Sequence, residues 1–263
     1  MSVFREKITR PYTSDPDNLI LMVPSYLHLS NQHLLYDSAI LTEISPSFFD
    51  STEWRQRNAV FGEAEGRGTA LFVSQGAYRF VIRHYRRGGL LSNLNSDHYL
   101  WNGLENTRAW REWHLLSRMY QEGLPVPRPV GARVERIGFR YRADLSTFFL
   151  PDCESIASRL RTGTVTKALW INVGRTIRRF HDAGYCHADL NTHNVLIETS
   201  AKVYLIDFDK GRQWPDRDDW KRANLKRFHR SILKVTKASV GVFFNEDWQA
   251  FLRGYHGDVS LGV

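Results

Sequence analysis

His187-Ala188-Asp189-Leu190-Asn191-Thr192-His193-Asn194, followed at once by the apolar run Val195-Leu196-Ile197, is the stretch that decides the fold. Upstream of it, Leu169, Val173, Ile177 and Phe180 recur at helical spacing over residues 165–183, and Gly184 stands where such a helix would end. Downstream, residues 203–206 read as a second short apolar strand that runs into Asp207-Phe208-Asp209. The order is therefore long helix, polar loop, strand, strand, acidic turn. Three oxygen-bearing side chains, Asp189, Asn194 and Asp207, fall at the strand ends. A turn-forming Asp/Asn cluster explains any one of them, but not all three in this sequence of elements.

The spacing fits H-x-D-x-x-x-x-N, the catalytic loop of protein-kinase-like enzymes, and Asp207-Phe208 stands where those enzymes place a metal-binding aspartate. Phosphoryl transfer needs an attacking hydroxyl aligned on the γ-phosphate and a place for its proton, which a loop aspartate provides. It also needs a divalent cation bridging the phosphates, and hard cations take oxygen ligands. Asp189 is thus expected as the base, with Asn194 and Asp207 holding Mg²⁺ beside ATP. His187 is expected to support the loop rather than react.

The other parts are sought upstream. Gly66-Arg67-Gly68-Thr69-Ala70-Leu71-Phe72-Val73 matches a phosphate-covering G-x-G-x-x-G-x-V loop except at Leu71, so Gly66 and Gly68 are expected over the nucleotide. No lysine lies between positions 8 and 166. The strand Phe80-Val81-Ile82-Arg83 therefore presents Arg83 where such enzymes carry lysine, and Arg83 is expected to contact the phosphates with Glu112 as its ion-pair partner. Arg86 and Arg87, in a run of three arginines without an acid, are candidate substrate contacts.

Composition narrows the classes. The chain has 263 residues and carries 36 Lys+Arg against 28 Asp+Glu, a net charge of +8, which implies a polyanionic partner. No apolar run is long enough to span a bilayer. The N-terminal residues MSVFREKITR lack the apolar core of a secretory signal, so a cytosolic location is expected. Cys153 and Cys186 have no metal-ligand spacing and are expected as small buried hydrophobes. The fold class expected is α+β and two-lobed. Residues 1–150 would form a β-rich N-terminal lobe with one main helix, residues 151–263 an α-rich C-terminal lobe, and residues 148–152 the hinge.

Within the first lobe, residues 1–60 read as loops and short helices. Strands are expected around residues 69–73, 78–85, 130–135 and 139–147, and a helix over residues 107–122 capped by Thr107. No A-P-E follows Asp207, so the peptide-binding platform of a protein kinase is missing and a small molecule, sugar or lipid head group suits the site better. Residues 210–237 carry ten Lys+Arg against three Asp, with Trp220, Leu225, Phe228, Ile232 and Leu233 interspersed. That helix is expected on an anionic membrane surface, where each basic side chain is worth about 1 kcal/mol.

Taken together, HADLNTHNVLI, LIDFDKGR, GRGTALFV, RHYRRGGL and GLPVPRPVGA resemble the bacterial Kdo kinases, lipopolysaccharide sugar kinases related to the protein kinases. The resemblance implies ATP-dependent phosphorylation of the 4-hydroxyl of Kdo on a lipid A precursor. It further implies a peripheral protein on the cytoplasmic face of the inner membrane, with an anionic glycolipid as partner. A monomer is expected, and nucleic acid is not expected as a partner. Two rivals stand beside this reading. One is a small-molecule kinase of aminoglycoside or choline type, which the basic surface disfavours. The other is a non-catalytic lipid-binding scaffold, suggested by the missing lysine.

Overall fold

The computed structural model describes residues 21–64, 70–86, 97–214, 218–237 and 243–257. They cluster into two compact units. One comprises the residues up to Gly123 together with Pro127–Phe149, the other Leu124–Val126 with the residues from Leu150 onward.

The first unit is built on an antiparallel sheet. Its strands are β1 (Pro24–Leu29), β2 (Gln32–Asp37), β3 (Val60–Ala64), β4 (Ala70–Gln75), β5 (Tyr78–His84), β6 (Tyr99–Leu100), β7 (Pro129–Ile137) and β8 (Arg140–Phe148). The order across it is β1-β2-β7-β8-β5-β4-β3, with β6 beside β8. The β4–β5 hairpin turns at Gly76, whose φ of 60° suits the first position of a two-residue turn. Alternation sets the faces of β5: Tyr78, Phe80 and Ile82 are buried, while Arg79, Val81 and Arg83 face the other way. The buried set packs with Phe48, Phe49, Trp54 and Phe148 in an aromatic-rich core.

β1 and β2 correct the expectation of loops and short helices before residue 60. Their sequences, PSYLHL and QHLLYD, hold no β-branched residue, and burial does not alternate cleanly along them, since the consecutive Leu34 and Leu35 of β2 are both buried. A fully buried ion pair anchors this end of the sheet: Arg128 Nε donates to Asp37 Oδ2 at 2.8 Å, and the other carboxylate oxygen accepts from the Val23 and Ala39 amides. Every lone pair used there has a donor, the condition under which a buried charge is tolerated.

Two helices belong to this unit, α1 (Ser51–Gln56) and α2 (Arg108–Gln121). α2 buries Ala109, Glu112, Trp113 and Leu116, and ends where Gly123 takes a φ of 72°. Thr107 stands at its N-cap position but does not cap: its hydroxyl donates to the Leu104 carbonyl instead.

The second unit holds α3 (Ile156–Thr162), α4 (Lys167–Asp182), α5 (Asp219–Lys237) and α6 (Asn245–His256). It also holds β9 (Cys153–Ser155), β10 (Tyr185–Cys186), β11 (Val195–Glu198), β12 (Val203–Leu205) and β13 (Arg212–Gln213). β9 and α3 were not expected from the sequence. β12, β11 and β9 form one small antiparallel sheet, and β10 pairs with β13. Cys186 is buried, but Cys153 is half-exposed, because β9 is an edge strand. Burial still pushes its thiol up to about 11. α4 and α6 approach backbone to backbone at Gly174 and Gly254.

The apolar residues of α5 also depart from expectation. Trp220, Phe228 and Ile232 are buried in the unit's own core, Leu225 is half-buried, and only Leu233 is markedly exposed. The helix therefore shows solvent mainly its charges.

Candidate active site

In the second unit, the polar loop leaves β10 and enters β11. Val195 pairs with Leu205, and the Ile206 amide donates to the Asn194 carbonyl at 3.0 Å. Asn194 and Asp207 therefore flank the same end of one strand pair. Asp207 has a φ of 66°, a conformation few non-glycine residues adopt. Phe208, just after it, is buried against Phe180 and His187 and fixes the turn.

His187 joins the two segments. Its Nε2 lies 2.8 Å from the Ile206 carbonyl oxygen, so this nitrogen carries the proton, and Nδ1 accepts from the Asp189 amide at 3.2 Å. Burial holds the imidazole neutral by lowering its pKa. The Asp189 carbonyl accepts from the side-chain amides of both Asn191 (2.9 Å) and Asn194 (3.0 Å). The Asp189 carboxylate stays outside this web; its side chain is 58% exposed and faces Arg227 Nη1 at 3.4 Å.

α5 runs along the loop. Asn224 Nδ2 donates to the His187 carbonyl at 3.0 Å, Arg227 reaches Asp189, and Ser231 Oγ accepts from the Thr192 amide at 3.1 Å. Asn224 and Ser231 were missed in the sequence, whereas Arg227 belongs to the basic helix already expected to contact the anionic substrate, though not as a neighbour of Asp189. The available signal was a polar residue, Asn224, at helical spacing between the apolar Trp220 and Phe228.

The oxygen donors suit a hard cation. Asn194 uses its Nδ2 on the loop, which leaves Oδ1 as the amide's acceptor, and Asp207 supplies a carboxylate. Among the described residues there is no cluster of three His, Cys, Asp or Glu. Asn194 and Asp207 are two oxygen donors, and Mg²⁺ commonly takes one or two protein oxygens and completes its shell with water and substrate phosphates.

In the first unit, Arg83 on β5 and Glu112 on α2 meet. Arg83 Nη2 donates to both carboxylate oxygens of Glu112 at 2.6 Å, and the Glu112 side chain is 1% exposed. The Tyr85 hydroxyl donates to Glu112 Oε2 at 2.5 Å, and the Arg83 guanidinium lies 4.8 Å from the Tyr85 ring centroid. Burial and then Glu112 drive the Tyr85 pKa well above 10, so the phenol keeps its proton. Arg86 is exposed. Gly66, Gly68 and Arg87 lie outside the described residues.

A second buried histidine bears on stability. His181 of α4 packs edge-on to Trp220 and Tyr255, and burial lowers its pKa to about 4. The folded form thus excludes a proton that the unfolded chain binds below about pH 6.5. Stability is expected to fall as pH drops from 6.5 toward 4, by about 2 kcal/mol at pH 5 from His181 alone, with His187 adding in the same direction. Urea midpoints at pH 7.5 and 5 measure it; equal midpoints would refute the burial of both neutral rings.

The family model described as "Lipopolysaccharide kinase (Kdo/WaaP) family" matches residues 51–255. A protein of Mannheimia succiniciproducens named 3-deoxy-D-manno-octulosonic acid kinase is 43% identical over 215 residues, which is 79% of this chain and 89% of that protein. One of the same name from Photobacterium damsela subsp. piscicida is 39% identical over 85% of this chain and 93% of its own. Another, from Haemophilus influenzae (strain 86-028NP), is 38% identical over 86% and 97%.

Proposed function

This chain belongs to the lipopolysaccharide kinase (Kdo/WaaP) family, and from that premise we propose that it transfers the γ-phosphate of ATP to the 4-hydroxyl of Kdo on a lipid A precursor, in lipopolysaccharide core biosynthesis. The observation that carries the reading is the loop at Asp189. A solvated carboxylate is held on a backbone fixed by His187, Asn191 and Asn194, beside the left-handed Asp207. Relatives bearing the Kdo kinase name support the choice of sugar.

Asp189 orients the attacking hydroxyl and takes its proton as the bond to phosphorus forms and the bond to the departing ADP oxygen breaks. Asn194 and Asp207 hold Mg²⁺, which neutralises charge on the phosphates. Arg83, kept in place by Glu112, contacts the phosphates, and Gly66 and Gly68 cover them. Arg86, Arg87 and the basic face of α5, with Arg227 nearest Asp189, attract the anionic acceptor. The two units act as the lobes of a kinase-like fold, with a hinge at residues 148–152. The protein works as a monomer, peripherally, on the cytoplasmic face of the inner membrane. No described helix is long and apolar enough to cross a membrane.

The test is to incubate the protein with Mg·ATP and a Kdo-bearing lipid A precursor and to follow product mass. A gain of one phosphate is expected; no transfer to any Kdo lipid sinks the reading. Arg83→Ala is expected to weaken ATP binding at least tenfold by calorimetry, since it removes a cation from the site and takes the Arg83 ion pair away from the buried Glu112. Unchanged ATP affinity would remove Arg83 from the nucleotide site.

A further inference from the structure

Two turns of the first unit's sheet and the end of β6 meet at one end. The β1–β2 turn is tied to the end of β7: the Arg136 amide donates to the Asn31 carbonyl at 2.8 Å, and Asn31 Nδ2 returns a bond to the Arg136 carbonyl at 3.0 Å. The β7–β8 turn is tied to the end of β6, where the Trp101 amide donates to the Phe139 carbonyl at 2.9 Å and Leu100 pairs with Arg140. Each of the three carries a large apolar side chain outward. Leu29 is 41% exposed, Leu100 69%, Ile137 40% and Phe139 70%. Four of the ten exposed large hydrophobics among the described residues thus sit on these linked segments, a concentration a soluble surface rarely carries without use.

The charges on these segments themselves have one sign, with Glu135, opposite Gln32 on β7, the carboxylate next to them in the chain. The Arg140 guanidinium lies 5.3 Å from the Phe139 ring centroid, and that of Arg136 lies 5.0 Å from Trp101, which also neighbours His33 and Tyr141. Residues 28–31, 99–101 and 136–140 contain no Asp or Glu. Apolar tips ringed by arginines, whose stems lie along apolar surface and whose heads stay polar, match the boundary between lipid headgroups and acyl chains. α5 cannot supply the apolar part of such a contact, since its large apolar residues are mostly buried in its own unit.

We infer that this turn cluster docks on an anionic bilayer, with Leu29, Leu100, Ile137 and Phe139 entering the interface and Arg136 and Arg140 pairing with lipid phosphates. The inference rests on the reading of the acceptor as a membrane-borne glycolipid and names the surface that meets the membrane.

Sedimentation of the full chain with phosphatidylethanolamine–phosphatidylglycerol vesicles, and with phosphatidylcholine vesicles, tests it. The wild type is expected to bind the anionic vesicles. The double variant Leu100→Asp, Phe139→Asp is expected to lose at least about tenfold in affinity, since each change replaces an inserted apolar side chain by a negative charge that both the acyl region and the lipid phosphates disfavour. Arg136→Gln with Arg140→Gln should lower binding to the anionic vesicles alone. Phosphate transfer to a detergent-dispersed acceptor should be unchanged in both variants. Undiminished vesicle binding by the Leu100/Phe139 variant overturns the inference and leaves the functional reading standing. Absence of wild-type binding to either vesicle overturns it together with the membrane location. Self-association of the wild type abolished by the same substitutions would show a contact between copies instead, and would also overturn it. Loss of transfer with vesicle binding intact would count against the kinase reading alone.

Discussion

Asp189→Asn is expected to lower kcat for phosphate transfer by roughly 10²- to 10⁴-fold, the range that a positioned general base contributes. The substitution is nearly isosteric. The loop is held through the backbone of residue 189, whose amide donates to His187 and whose carbonyl accepts from Asn191 and Asn194. None of those bonds uses the carboxylate, so the loop should keep its shape. The side chain is 58% exposed and its one ion pair, to Arg227, is also exposed, so stability should move by less than about 0.5 kcal/mol. ATP affinity should stay within about twofold of the wild type, because a base for the acceptor hydroxyl is not a nucleotide ligand. A loss of kcat with both of these preserved isolates the proton transfer. Undiminished turnover would remove Asp189 from the mechanism.

The largest effect on stability is expected at the crossing of α4 and α6. A Cβ added at Gly174 would sit on the Phe251 carbonyl oxygen and 2.7 Å from the Tyr255 amide nitrogen. One added at Gly254 would sit on the Ile171 carbonyl oxygen. In both cases the obstacle is backbone, which cannot swing aside as a side-chain tip can. The helices would have to separate, and Phe251 and Val173, fully buried at this crossing, would lose packing with them. Gly174→Ala and Gly254→Ala should each cost about 3 kcal/mol or more, a large share of the roughly 5–15 kcal/mol that holds a typical domain together. The double variant should cost less than the sum, since one separation relieves both clashes. Urea unfolding followed by tryptophan fluorescence measures this; a midpoint unchanged by either substitution would contradict the close approach.

What was legible in the sequence was what is local in the chain. Leu169 to Phe180 marked α4 because a buried helix face repeats every three to four residues. The alternation from Tyr78 to Arg83 marked β5 and its two faces. The loop at Asp189 was legible as a polar turn between helix and strand because its residues lie within eight consecutive positions. β1 and β2 were not, since they lack β-branched residues and a clean alternation, and His, Gln and Tyr are equally at home in loops. Thr107 looked like a cap because the residue type fits, but its hydroxyl found a nearer acceptor in Leu104. The apolar positions of α5 were seen, but composition cannot say whether they face lipid or the protein's own core; Phe228 and Ile232 are fully buried. Arg227 and Ser231 were invisible as site neighbours, because nothing in the chain announces a contact with a loop some forty residues earlier.

That separation bears on the order in which the protein is made. The tethers from α5 to the loop join residues 37 to 39 positions apart, Asn224 with His187, Arg227 with Asp189 and Ser231 with Thr192. A nascent chain that has already exposed the whole stretch from His187 to Asn194 still lacks its outer brace. The brace arrives only when residues 219–237 have been synthesised and have coiled against it. Until then the segment that carries Asp189 is held by its own hydrogen bonds and by those to Ala157 and Ile206. A helix made later thus completes the support of a loop made earlier.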